Sequence, residues 1–165
     1  MRKLIFFVIA ITALSALAFA GVTLFNNIKK PTPPIQSLEN LKDLRIGSVR
    51  IKVEIAKTPE ERVMGLSDRE SLAKDNGMLF TFSEKNIKPL FWMKDMRFGL
   101  DFIWINDRKV IQIDKGINPP AQGTPDNALQ IFSPNDPANY VLEVNSGFSD
   151  SMGVKVGDYV DITQL

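Results

Sequence analysis

No cysteine and no histidine occur in the 165 residues of this chain. The first absence excludes disulfides, thiolate zinc sites and cysteine nucleophiles. The second removes the usual general base near neutral pH and the commonest metal ligand. Any catalysis would rest on carboxylates, Lys, Ser, Thr or Tyr. Charge of one sign is scarce too: 20 basic and 19 acidic residues leave a formal net charge of +1. Arg2 and Lys3 precede every acidic residue, so from Asn26 onward the balance is 18 basic against 19 acidic, or −1. A body so close to neutral carries no electrostatic footprint for nucleic acid, and no nucleic-acid partner is expected. Walker loops, dinucleotide fingerprints, nucleophile-elbow serines and zinc motifs are all missing, so neither a cofactor nor a metal is expected.

What is present points to one globular domain with an appendage. The length suits a single domain, and 44% hydrophobic with 9% aromatic residues is a folding composition. Behind Arg2 and Lys3 runs an uncharged, mainly apolar stretch from Leu4 to Phe25. It reads as an N-terminal apolar helix with two possible fates. Ala18-Phe19-Ala20 before Gly21 forms a small-residue cleavage site, which makes residues 1–25 a signal peptide. Alternatively, residues 4–25 are long enough to span a bilayer, which takes about 20 residues, and anchor the chain in the membrane. The run continues past Ala20 through Val22-Thr23-Leu24-Phe25, which favours the anchor. The basic start keeps the N-terminus cytoplasmic and the body outside. Both fates imply export: anchored in the cytoplasmic membrane with the domain outside, or secreted or periplasmic if cleaved after Ala20. Residues 26–40 form a linker, in which Pro31, Pro33 and Pro34 favour extended backbone.

Residues 41–165 carry the domain. Leu44, Ile46 and Val49 lead into the alternation Ile51-Lys52-Val53-Glu54-Ile55, a half-buried strand. Thr58-Pro59-Glu60-Glu61 predicts a helix with Thr58 as N-cap, Pro59 at its first position and Glu61 closing a capping box; Gly65 stops it. A further brief helical turn is expected within 68–75. The stretch from Asn76 to Ile105 holds both tryptophans and reads as three strands, 78–82, 90–93 and 100–105, with a polar loop over 83–88. Asn106-Asp107-Arg108-Lys109 turns the last of them into Val110–Ile113. Residues 118–137 contain five prolines and are expected as loop, with 129–132 able to pair briefly. Strands over 140–144 and 156–162 flank a turn or short helix at 147–152. The predicted fold is α+β: a β-rich, small, barrel-like domain with one or two short helices.

The polar residues within apolar segments are the candidate site. Asp101 interrupts Leu100–Ile105, where a carboxylate is costly to bury alone. It reads as a pocket carboxylate or as a partner of Arg62, Lys94 or Arg97. Lys94, beside Trp92, could sit in a partly apolar pocket, where its pKa would fall. Glu143 interrupts Tyr140–Val144. It reads as an outward side chain or as a second carboxylate facing Asp101, the pair suiting glycoside chemistry or a divalent cation. Arg62 could clamp a carboxylate or phosphate, or bridge to the sheet.

Arg62-x-x-Gly65-Leu66-Ser67, Gly77-Met78-Leu79-Phe80-x-Phe82, Phe91-Trp92-Met93-Lys94-Asp95, Leu100-Asp101, Tyr140–Val144 with Gly147, and Gly157-Asp158 occur in that order. The combination resembles the prokaryotic domain-of-unknown-function family 192 over Leu44 to Ile162. It departs where Asp95-Met96 replaces the family's usual Asn-Thr and where Phe98-Gly99 replaces an aliphatic-Pro pair. The resemblance implies a compact β-rich domain, often behind a signal or anchor, and supplies no established activity. The family's recurrent polar positions map onto Arg62, Trp92, Lys94, Asp101 and Glu143, which become the ligand-binding candidates. Three functions follow in order of preference. The first is an envelope module binding a small anionic or sugar-like ligand in a Trp/Lys/Asp pocket. The second is an accessory module docking on an envelope protein. The third is a carboxylate-based hydrolase or lyase.

Overall fold

The computed structural model describes residues 41–84 and 86–163. The expected anchor or signal peptide and the proline-rich linker lie outside them. Among the described residues, no helix is long and apolar enough to cross a membrane.

The strands are β1 (Lys42–Ile46), β2 (Val49–Ala56), β3 (Asn76–Thr81), β4 (Leu100–Asn106), β5 (Lys109–Ile117), β6 (Tyr140–Asn145) and β7 (Val160–Asp161). Two short helices join them, α1 (Pro59–Met64) and α2 (Phe148–Met152). All seven strands form one sheet in the order β5-β4-β6-β3-β2-β1-β7. Only β2 and β3 pair in parallel, with α1 in the crossover between them. The two edges meet at one end. Val110 N donates to Asp158 O at 3.0 Å, Gly157 N to Val110 O at 2.8 Å, and Val160 N to Arg108 O at 2.8 Å. These bonds curl the sheet into a half-closed barrel, as the strand-rich pattern predicts.

Period-two alternation sorts the side chains to the two faces. Leu44, Ile46, Ile51, Leu79, Ile103 and Leu142 fill the barrel interior. Phe80, Leu100, Phe102, Trp104 and Val141 form a second apolar layer on the outer face, covered by the long loops. With both faces covered, β4 is buried from Leu100 through Ile105. Each large apolar side chain fully buried here contributes about 2 kcal/mol of transfer free energy. The outer layer is stitched by rings: Phe91 meets Phe80 at 4.9 Å, Trp104 at 5.5 Å and Phe102 at 5.7 Å between centroids, edge to face. Gly77 allows β6 to lie close against β3, since a Cβ there would stand 2.8 Å from Glu143 O.

Local chemistry sets the short elements. Thr58 Oγ1 accepts from Glu61 N at 3.2 Å while Glu61 Oε2 accepts from Thr58 N at 2.9 Å, the capping box predicted for α1. The β4–β5 turn places Asp107 and Arg108 at φ 44° and 64°, the left-handed pair a tight hairpin needs. Three expectations change. Residues 90–93 are not a strand: among the described residues Phe91 bridges only to Phe132, because Pro89 precedes it and the segment crosses the sheet's outer face instead of extending its edge. That bridge is the brief pairing expected of 129–132. Residues 68–75 are mainly irregular backbone with turns at either end, not helix, and β7 covers only two residues of the expected 156–162.

Candidate functional site

A cleft of about 410 Å³ opens between α1 and the segment from Ile87 to Trp92, over the outer face of the sheet. Its position follows from α1, which buries none of its own residues. Capping and the Arg62 side chain hold the helix in place. Arg62 Nη1 donates to Lys57 O at 2.5 Å and to Thr81 O at 3.1 Å, and its guanidinium carbon lies 5.2 Å from the Phe82 ring centroid. A cation over an aromatic face is attracted by the ring quadrupole. Val63, Met64, Leu90 and Trp92 stand exposed around the mouth, Trp92 at 46%.

Glu143 lines the cleft from β6 and is only 5% exposed. In register it lies beside Met78 of β3 and Phe102 of β4. Burial in this hydrocarbon pushes its carboxyl up to about 8, and the nearby Arg69 charge offsets this only in part. Arg69 is itself engaged by Glu54, with Nη1 and Nη2 donating to the two carboxylate oxygens at 2.7 and 2.8 Å. Glu143 therefore rests as a neutral acid at pH 7 and can donate a hydrogen bond.

The other candidates lie elsewhere. Asp101 is fully buried on the opposite, interior side of the sheet, in line with Ile103 and Ile105. Its Oδ1 accepts from Gly116 N at 2.9 Å and Gly147 N at 3.1 Å, and its Oδ2 from Ser149 N at 3.0 Å. Gly116 and Gly147 sit at φ 65° and 81°, conformations glycine adopts without strain. Asp101 thus pins α2 and the end of β5 to β4 through backbone amides. Because Phe102 is the residue opposite Glu143, Asp101 and Glu143 fall on opposite faces. The facing carboxylate pair entertained from the sequence does not form.

Lys94 turns away from Trp92 into a second, polar cleft of about 460 Å³ bounded by Asp68, Arg97, Gln122 and Asp126. Its Nζ pairs with Asp126, and that hydrogen bond raises its pKa, the reverse of the fall expected beside an aromatic wall. Asp95, at φ 56°, makes the turn that redirects the chain. Among the described residues, no group of three carboxylates gathers to hold a metal ion.

Of the five candidates, Arg62, Trp92 and Glu143 share one cleft; Lys94 and Asp101 do not join them. Ser67 and Phe82, both in the motifs quoted above, line the same cleft; Arg69, whose charge reaches Glu143, carried no sequence signal of it. Ser67 Oγ donates to Lys94 O at 2.9 Å and Asp68 N to Asp95 O at 2.8 Å, tying the loop after α1 to the Trp92 segment.

The family profile DUF192 (Uncharacterized ACR) matches residues 42–162. The chain belongs to DUF192. Two crystal structures are similar to this DUF192 domain. One is a protein of Sinorhizobium meliloti 1021 labelled a candidate transcription regulator, at 30% identity and TM-score 0.65, covering 73% of this chain and 92% of that one. The other is a protein of unknown function from Novosphingobium aromaticivorans DSM 12444, at 26% identity and TM-score 0.67, covering 81% of this chain and 94% of that one. No curated protein matches the chain.

Proposed function

We propose that this DUF192 protein is an exported, membrane-tethered binding module, whose cleft between α1 and the Trp92 segment takes a small ligand with an anionic or hydroxyl-bearing head. One observation carries the reading: a buried, neutral Glu143 lies in an aromatic cleft whose mouth is set by Arg62 and an exposed Trp92. Concave, mostly apolar walls with a few convergent polar groups are the usual form of a small-molecule site. The uncharged run of residues 4–25 behind Arg2 and Lys3 supports tethering outside the cytoplasmic membrane. The regulator label of the Sinorhizobium protein does not carry over, because a body of formal charge −1 offers phosphates no attractive field.

A thermal-shift screen of organic acids, envelope sugars, nucleotides and divalent cations tests the proposal. A ligand at 100 times its Kd stabilises by about 2.7 kcal/mol. The hit should vanish in Trp92→Ala and Arg62→Gln. A panel without any hit overturns the reading. It would favour the second one, docking on an envelope protein through Val63, Met64, Leu90 and Trp92, the four exposed apolar residues at the mouth.

A further inference from the structure

The cleft's own chemistry narrows the ligand class, on the reading that it is a binding site. Its walls are largely hydrocarbon, from Met64, Phe80, Phe82, Phe91, Trp92 and Met96. A sugar buries several hydroxyls, and each needs a polar partner. Among the described residues, five side chains with polar atoms line the cleft: Arg62, Ser67, Lys88, Trp92 and Glu143. Ser67 Oγ donates its one hydrogen to Lys94 O, and Lys88 Nζ gives one of its three to Asn135 O. Arg62 is different. A guanidinium carries five N–H donors, and its two carbonyl partners occupy Nη1 alone, leaving Nε and Nη2 to make a planar fork.

Charge points the same way. Arg62 and Lys88 bring positive charge from α1 and from the Trp92 segment. Arg69, from the loop after α1, is matched by Glu54 of β2. The strand neighbours of Glu143 in register, Met78 and Phe102, are uncharged. Glu61, next to Arg62 in the sequence of α1, is taken up by the capping box. Among the described lining residues the balance is cationic while Glu143 keeps its proton.

We infer that the cleft binds an amphipathic monocarboxylate, an organic acid with an apolar chain or ring, its carboxylate on Arg62 and its body along Phe82, Phe91 and Trp92 above Glu143. A second oxygen on the ligand could accept from the Glu143 hydroxyl. The site is then acid-favoured: once Glu143 ionises, above pH about 8, a negative charge lies beneath the ligand's own.

Calorimetric titration of the full chain in detergent, with detergent-only titrations subtracted, tests this with phenylbutanoate, phenylbutanol, phenylbutylammonium and glucose. At about pH 6.5 phenylbutanoate should bind at least ~10-fold tighter than the other three, the usual worth of one charge-assisted hydrogen-bond pair. Arg62→Gln should lose about that factor; Trp92→Ala, at an exposed position, gives a second variant should Arg62→Gln fail to fold. Wild type should weaken about tenfold from pH 7 to pH 9.5, whereas Glu143→Gln should hold its affinity. Equal or tighter binding of the alcohol, the amine or glucose overturns the carboxylate assignment and leaves the binding module standing. A pH profile unchanged in Glu143→Gln overturns the placement over Glu143. Absence of binding by all four probes, together with an empty thermal-shift panel, removes the binding module itself.

Discussion

Glu143→Gln should stabilise the protein in alkaline solution and leave it unchanged in acid. Burial lifts the Glu143 carboxyl from 4.5 to about 8. Each tenfold change in proton affinity is about 1.4 kcal/mol, so ionising the buried group costs about 5 kcal/mol in full. The sign follows from proton counting. Between pH 4.5 and 8 the folded chain holds a proton that the unfolded chain has released. Stability is therefore complete below pH 4.5, falls as pH rises through the window, and levels off above about 8. At pH 7 the loss is about 3 kcal/mol, a large share of a typical 5–15 kcal/mol. Glutamine keeps the shape without the charge. The lack of histidine clears the window of its usual competitor. Glu61 and Asp161, whose carboxyls are lowered by hydrogen bonds from Thr58 and Thr163, act at lower pH: their stabilisation is present above the ordinary carboxyl range and lost as pH falls. Urea denaturation of wild type and Glu143→Gln at several values between pH 5 and 9 measures the difference directly. Curves that run parallel across that range would refute a buried neutral Glu143.

Asp101→Asn should cost about 2–4 kcal/mol, because an NH2 group replaces one of two oxygens that together accept three backbone N–H bonds; a urea midpoint equal to wild type would contradict the amide-clamp account. Gly77→Ala should lose about 1–3 kcal/mol, since the new Cβ meets the Glu143 carbonyl at 2.8 Å; an unshifted Tm would mean that β3 and β6 separate freely. External protease on spheroplasts should digest the domain while intact cytoplasmic controls survive, if residues 4–25 place it outside; full protection would reverse the orientation.

The parts legible in the sequence were those decided within a few residues. The capping box spans Thr58 to Glu61, and the β4–β5 turn depends on Asp107 and Arg108 alone. Alternation in β2 reads correctly because one face meets the barrel interior while Arg50 and Lys52 meet solvent. The same rule misleads at 90–93. Leu90 and Trp92 are exposed while Met93 is buried and Phe91 packs into the ring cluster, so the segment alternates as a strand does. Its partner is the face of the sheet, reached by side chains, with no ladder of backbone bonds. β1 was hidden because Leu44, Ile46 and Val49 run on through the Gly47-Ser48 turn as one apolar series. Lys94 shows the limit of adjacency: two residues from Trp92 in sequence, it is aimed at Asp126 by the turn at Asp95.

Asp101 and Glu143 carry the same functional group on adjacent strands of one sheet, and composition cannot separate them. Register does. Asp101 lies opposite Val144, and Phe102 opposite Glu143, so the two carboxyls leave the sheet on opposite sides. On the interior side, Gly116, Gly147 and Ser149 turn three amides toward Asp101. A charged acceptor so surrounded is matched, and its work is finished by holding α2 in place. On the outer side Glu143 meets Met78, Phe102 and the cleft, and Arg69, whose charge acts on it, already serves Glu54. Keeping its proton there costs less than losing it. Of two buried acids, the one whose charge the fold has already answered is structural. The one kept neutral at the bottom of an open, aromatic cleft has bonding capacity left for something from outside.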